Sequence, residues 1–266
     1  MKVFESTGSG VMRELNYVGG LSIQFWSSLR ASSRVLPLIG VRSRWRTAMK
    51  QVVAIGAQGL PLIAILSTCV GFILSLQTAA ELRRFGAVQL VINIVAVGFT
   101  RELGPLVTAI VVSGRSGSAF SAEIGTMVAT NEIDALRTMA IDPVEYVLAP
   151  KFLAALIAVP SLTVMSSFFG IMAGAGFMYL NSDMTIWMYL TYVFDSIVLR
   201  DVFLGLLKSI AFATIIAQVG CLEGFRVRGG PEAVGRSTTA AVVRSTFLVI
   251  LADLLFTAVF YFLGIE

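Results

Sequence analysis

Histidine is missing from all 266 residues. Its absence removes the side chain that most often serves as general base, pH switch and metal ligand near neutral pH. No glycine is followed by lysine anywhere in the chain, so the phosphate-cradling G-x-x-x-x-G-K-[ST] loop is absent. There are two cysteines, Cys69 and Cys221, far apart and each inside an apolar stretch. That pattern argues against a disulfide framework and against a zinc site, and both are expected to be buried small apolar residues. The glycine- and serine-rich run from Ser113 to Ser118 lacks the G-x-S-x-G spacing of a nucleophile elbow, and no imidazole exists to activate a serine there. No catalytic residue and no metal ligand set is therefore expected. The net charge is only +4, with basic residues dispersed rather than gathered into an arm, which does not fit a nucleic-acid partner. Residues 1–50 hold no long unbroken apolar region, and Lys2, Glu5, Arg13 and Glu14 recur within it, so a cleaved signal peptide is not expected.

Charge as a whole is scarce. Asp, Glu, Lys and Arg make up 14% of the chain, against about 25% in an ordinary soluble domain. Apolar residues make up 56%, and the mean hydropathy is +0.85. Residues 51–80 and 152–182 contain no charged side chain. Residues 85–114 are interrupted only by Arg101 and Glu102, 202–222 only by Lys208, and 245–265 only by Asp253. A helix crosses the hydrocarbon in about 20 residues, so five spans are expected near 52–80, 86–114, 152–180, 202–222 and 245–264. Pro61 and Pro105 fall within two of them, where they loosen local backbone bonding.

Orientation follows from the basic residues. With the N-terminus inside, fifteen Lys and Arg fall on cytoplasmic segments, and only Arg83, Arg84 and Arg200 fall outside. That asymmetry satisfies the positive-inside rule and places the C-terminus, Glu266, outside. Residues 1–50 read as a separate cytoplasmic-side region ahead of a five-span domain at 51–266. Within it, Val11, Leu15, Val18, Leu21, Phe25 and Leu29 recur at helical spacing, with Trp26 and a basic cluster at 30–50. This pattern suits an amphipathic helix lying in the inner interface, or one packed on another subunit.

Between spans two and three lies the longest polar segment, 115–151. Thr130 or Asn131 is placed to cap a short helix with Glu132 and Asp134 in its first turn, where the helix dipole favours acids. Ile133, Leu136 and Ala140 fall on one side, and Pro143 is expected to end the helix. A loop helix half apolar and half charged suits docking onto another protein or resting on the membrane. The outer segment 181–201, with Trp187, Tyr189, Tyr192 and Phe194, reads as a re-entrant or interfacial helix.

Ionisable groups at membrane depth are costly and face a cavity or one another. Arg101, Glu102, Lys208 and Asp253 are such groups. They fit either a polar lining for a charged headgroup or mutual neutralisation, Glu102 with Arg101 or Lys208, with Lys208 able to reach outward. Gly170-x-x-x-Gly174, beside Ala173, Ala175 and Gly176, gives span three a small-residue face suited to packing within the chain or to a dimer seam.

One ordered series of short motifs runs through 101–153. It comprises Arg101-Glu102-Leu103-Gly104-Pro105, Ser113-Gly114-Arg115-Ser116-Gly117, Ala122-Glu123-Ile124-Gly125-Thr126-Met127, Ile133-Asp134-Ala135-Leu136, Ile141-Asp142-Pro143 and Pro150-Lys151-Phe152-Leu153. With Leu251-Ala252-Asp253-Leu254-Leu255-Phe256, this closely resembles the MlaE-type permeases, membrane subunits of MCE-associated ABC transporters that handle phospholipid and lipid asymmetry in Gram-negative envelopes. The resemblance covers nearly the whole chain. It implies an all-α integral membrane protein with an N-terminal amphipathic interfacial helix, five transmembrane helices and a cytoplasmic coupling helix between spans two and three. It also implies a homodimer in the inner membrane, a cytoplasmic ABC ATPase that alone binds ATP and Mg, a small STAS-domain protein on that ATPase, and a periplasmic MCE ring.

On this resemblance Glu123, Thr126, Met127, Glu132, Asp134, Leu136, Arg137 and Met139 would couple to the ATPase. Phospholipid would meet Glu102 and Arg101 with Ile73, Leu76 and Gln77 of span one. ATP-driven closure would then rock the spans and squeeze the lipid cavity. Two other readings make different demands. A proton-coupled secondary transporter would use Glu102 or Asp253 and need no ATPase, and a membrane scaffold would transport nothing.

Overall fold

Where no water can take up backbone N–H and C=O groups, a chain must satisfy them within itself. This one does so with helices. The computed structural model describes residues 19–28, 30, 42–85, 87, 89–181 and 184–264, and no strand occurs among them. Residues 19–28 and 30 are helical, and the first half of the expected interfacial helix, 9–18, lies outside the described residues. The later elements are α1 (Arg42–Arg83), α2 (Leu90–Ala129), α3 (Glu132–Thr138), α4 (Val144–Asn181), α5 (Ile186–Ser196), α6 (Leu199–Phe225) and α7 (Pro231–Phe262). Of these, α1, α2, α4, α6 and α7 are long and apolar enough to cross a membrane. The chain is thus an all-α, multi-pass membrane protein. The second span outruns its expected end at 114, since α2 continues to Ala129 and takes in the first part of the 115–151 segment.

Three stretches are π-helical, Phe99–Leu103 and Ser113–Gly117 within α2 and Val144–Leu148 at the start of α4. Two of them share a cause. Pro105 and Pro150 each follow the last π residue by two positions. A proline ring collides with the carbonyl four residues back and offers it no N–H. Widening the preceding turn relieves the collision, and the N–H groups of Gly104 and Ala149 reach back five residues to the carbonyls of Phe99 and Val144. Pro61, by contrast, sits inside an unbroken α1.

The described helices gather into two compact units. Unit 1 comprises Met1–Gln51, Ser116–Ala154 and Ala217–Ser245. In it Ile133 and Leu136 bury the apolar side of α3, and a Cβ on Gly125 would meet Val227 at 2.8 Å. The amide of Gln24 donates to the Gln218 carbonyl at 3.1 Å, and Ser28 is also buried, while Ile23 and Trp26 point outward. On the helix at 19–28, Gln24 and Ser28 are thus turned towards the chain and Ile23 and Trp26 away from it.

Unit 2 comprises Val52–Arg115, Ala155–Ile216 and Thr246–Glu266. Its core gathers Ala79, Val91, Ile92, Val95, Ala96, Phe99, Ala175, Phe177, Met178, Tyr189 and Val193. Along α1, Ile55, Gly59, Ile63, Ser67, Gly71, Ser75 and Ala79 are buried, one at every fourth position. Small residues there allow close packing: a Cβ on Gly71 would come within 2.3 Å of the Gly170 carbonyl oxygen, and Ser67 and Ser166 share a 2.7 Å hydrogen bond. The small-residue face of span three is likewise used inside the chain. A Cβ on Gly170 would strike Phe99 at 2.1 Å, and one on Gly174 the Tyr189 hydroxyl at 2.5 Å. Tyr189 anchors α5, whose Trp187 and Phe194 stay exposed, and burial pushes its phenol pKa up. Cys221 is buried as expected, but Cys69 is exposed on the outward side of α1.

Candidate functional site

Within unit 2 the membrane-depth charges converge. Lys208 of α6 is 1% exposed, so it does not reach outward as its length would permit. Its ammonium donates to Glu102 at 2.5 Å, to Asp253 at 2.9 Å and to Thr257 at 2.9 Å. The Thr257 hydroxyl in turn donates to the Asp253 carbonyl at 2.9 Å. Phe260 lies beneath the ammonium, 6.0 Å from nitrogen to ring centre. Burying one charge alone in apolar surroundings costs several kcal/mol, roughly, and partners are needed to offset that. Here two carboxylates face one ammonium, which leaves a formal negative charge in excess.

Arg101, the residue before Glu102, pairs elsewhere. Its guanidinium lies 3.8 Å from Asp201, which is itself buried and accepts the Val198 N–H at 3.1 Å. Arg101 and Glu102 nonetheless open on the same cleft of about 230 Å³, lined by Val97, Gly98, Arg101, Glu102, Thr257 and Phe260. The π turn Phe99–Leu103 carries both side chains, so the Pro105 perturbation shapes the stretch of helix that presents them. The cleft offers a guanidinium, a partly exposed carboxylate and an aromatic wall. Ile73, Leu76 and Gln77 line no part of it; they lie on the exposed side of α1.

The expected loop helix is present in unit 1 as α3, with different ends. Asn131 takes a left-handed conformation (φ 61°) and makes no side-chain cap, while the Thr130 hydroxyl donates to the Thr126 carbonyl at 3.0 Å. The helix stops at Thr138, because Ala140 (φ 58°) turns left-handed well before Pro143. Ala140 is exposed rather than on the buried side. Glu132, Asp134, Arg137 and Met139 face outward, as do Glu123 and Thr126, with Met127 half-buried. Leu136 does not share that face: it is buried and fastens α3 to its own unit. Asp134 and Arg137 pair at 3.0 Å on the exposed surface. Glu123 is engaged by Lys151, whose ammonium reaches its carboxylate at 2.5 Å.

Sequence reasoning did not place Asp201, Thr257, Phe260 or the Lys151 partnership. Asp201 lies seven residues before Lys208 and Thr257 four after Asp253, spacings that put each pair on one helix face. No metal-binding group of His, Cys, Asp or Glu occurs among the described residues.

A family model described as Permease MlaE matches residues 48–259. A probable ABC transporter permease protein from Rickettsia typhi is 37% identical over 215 residues, covering 80% of this chain and 82% of its own length. A second, from Synechocystis, is 36% identical over 223 residues, covering 82% and 83%. The chloroplast protein TRIGALACTOSYLDIACYLGLYCEROL 1 of Arabidopsis thaliana is 34% identical over 235 residues, covering 87% of this chain and 66% of its own.

Proposed function

The chain belongs to the MlaE permease family of ABC transporters, and from that premise we propose that it moves phospholipid between a bacterial inner membrane and a periplasmic MCE ring, driven by a separate cytoplasmic ATPase. ATP and its Mg belong to that ATPase, which also holds a small STAS-domain protein. The permease works as a homodimer with its N-terminus cytoplasmic and its C-terminus periplasmic, the orientation that the distribution of Lys and Arg favours.

The observation that carries the lipid reading is the cleft beside Glu102. A phospholipid needs an apolar path for its tails and a few polar groups for its head. The spans supply the path, and the cleft supplies Arg101 for a phosphate and the Glu102 carboxylate for an amine. The name of the Arabidopsis relative contains that of a glycerolipid, which favours cargo of this class. Ile73, Leu76 and Gln77 add an exposed wall on α1 against which tails can lie.

The outward side of α3 supports the coupling role. Glu132, Asp134, Arg137 and Met139, with Thr126 and Met127 on the adjoining end of α2, form a mixed charged and apolar surface that a groove of the ATPase can grip. ATP-driven closure displaces α3, and α2 carries the displacement to the cleft-lining turn.

The test is to purify the chain with the products of its neighbouring genes and extract bound lipid for mass spectrometry. Co-purification of an ATPase, with phospholipid enriched over the bulk membrane, is the expected result. A lone protein carrying only bulk lipid would overturn the reading. Lipid transfer in proteoliposomes without any ATPase would point instead to a proton-coupled carrier using Glu102 or Asp253, and loss of all transfer activity to a scaffold.

A further inference from the structure

A lysine near a membrane surface ordinarily extends its stem until the ammonium meets water. Lys151 does not. It sits in the first turn of the α-helical part of α4, 2% exposed, between buried Pro150 and buried Phe152. Its ammonium is 2.5 Å from the Glu123 carboxylate on α2 and 5.4 Å from the centre of the Phe120 ring. Glu123 keeps 53% of its side chain exposed. The two residues are 28 positions apart, and all of α3 lies between them.

The contact therefore closes the base of the loop that displays α3. Buried ion pairs add little stability compared with apolar packing, and their best-attested use is to fix one arrangement among several. Two features of unit 1 fasten the loop at different points. Ile133 and Leu136 hold α3 to the unit, and Lys151 ties α4 back to α2. With the base closed, a push on α3 is passed to α2 and α4 together; with it open, bending of 130–143 absorbs the push.

We propose that Lys151 and Glu123 are positioning residues that latch the α3 loop, so that its displacement drives transport instead of being dissipated. This rests on the ATP-coupled reading above. It assigns Glu123 to the latch rather than to a contact with the ATPase.

The test takes Lys151→Met, Lys151→Arg and Glu123→Gln in the full chain and reads two quantities. The first is hydrogen exchange at residues 132–138 of the purified permease. The second is lipid transferred per ATP hydrolysed by the reconstituted complex. Lys151→Met is expected to speed exchange there about tenfold, the scale of a lost local restraint, with α1 and α6 unchanged. Lipid moved per ATP is expected to fall about fivefold while ATP hydrolysis and ATPase association persist, the mark of lost coupling rather than lost binding. Lys151→Arg, which keeps the charge, should restore both, and Glu123→Gln should lie between.

Unchanged exchange in Lys151→Met overturns the latch, whatever transport does. Faster exchange with a wild-type ratio of lipid to ATP overturns its role in coupling. Should Lys151→Met fail to fold, Glu123→Gln carries the same two readouts. A wild-type chain that transfers no lipid with ATP would sink the transporter reading, and the exchange measurement would still decide the latch.

Discussion

Two lysines in this chain face the same difficulty and resolve it differently. Lys208 and Lys151 are both almost wholly removed from solvent, each beside a phenylalanine ring. Lys151 meets one carboxylate, and that carboxylate is half in solvent, so the pair is balanced and its acid can be hydrated. Lys208 meets two, Glu102 and Asp253, and neither side chain is more than about a third exposed. In unit 1 the lysine serves a neutral tie between two helices. In unit 2 it is the shared partner of two acids, one of which lines a cleft. Burial of a lysine does not define its task; the number and exposure of the acids around it do.

Breaking the two sites should give unequal results. Lys208→Met should have the largest effect, because it strands two carboxylates in apolar surroundings. About 3–5 kcal/mol of stability should be lost, seen as a collapse of folded yield and melting temperature in detergent. Restoring balance sharpens the point, since Lys208→Met combined with Glu102→Gln and Asp253→Asn should recover most of that loss. Lys151→Met strands a carboxylate that water can reach, so roughly 1–2 kcal/mol is expected by the same melting assay. Asp253→Asn alone should cost less, within about 1 kcal/mol, because Lys208 retains Glu102 and the cluster becomes neutral. A larger loss would show that the second acid is structurally required. The smallest effect belongs to Arg137→Ala on the exposed surface of α3. Losing its pair with Asp134 should change stability by about 0.5 kcal/mol or less, while a co-purification assay should show weakened ATPase association.

The spans were legible because a charge-free run has few uses other than crossing a membrane. The short helix was legible too, since Ile133 and Leu136, three apart, are buried while Glu132, Asp134 and Arg137 are exposed, the spacing of a helix on a surface. Its ends were not. Asn131 and Ala140 adopt left-handed conformations set by how the loop closes, and Ala140 is a residue that rarely does so. Pro105 was expected to loosen its helix and does so through the Phe99–Leu103 π turn, whereas Pro61 leaves α1 unbroken and the turn before Pro150 was not foreseen. Of the ion pairs, Glu102 with Lys208 was one of two pairings the sequence allowed, while the pairings of Asp253, Arg101 and Lys151 were not legible. Lys208 is 106 positions from Glu102 and 45 from Asp253, so only the packing of three helices decides who meets whom. Cys69 was expected inside because it is small and apolar, yet in a membrane an apolar side chain does as well on the outside.

The buried line along α1 has a geometric consequence of its own. Its members recur every fourth residue from Ile55 to Ala79, but the helix completes a turn in about 3.6. Each step overshoots by about 40°, and over the full line the drift reaches about 240°. The inward side of α1 at one end is thus nearly its outward side at the other, and the free surface winds around the helix like a stair. A straight acyl chain laid parallel to α1 can follow that stair for only a few turns. To stay on free surface it must bend with the winding or step across to another helix.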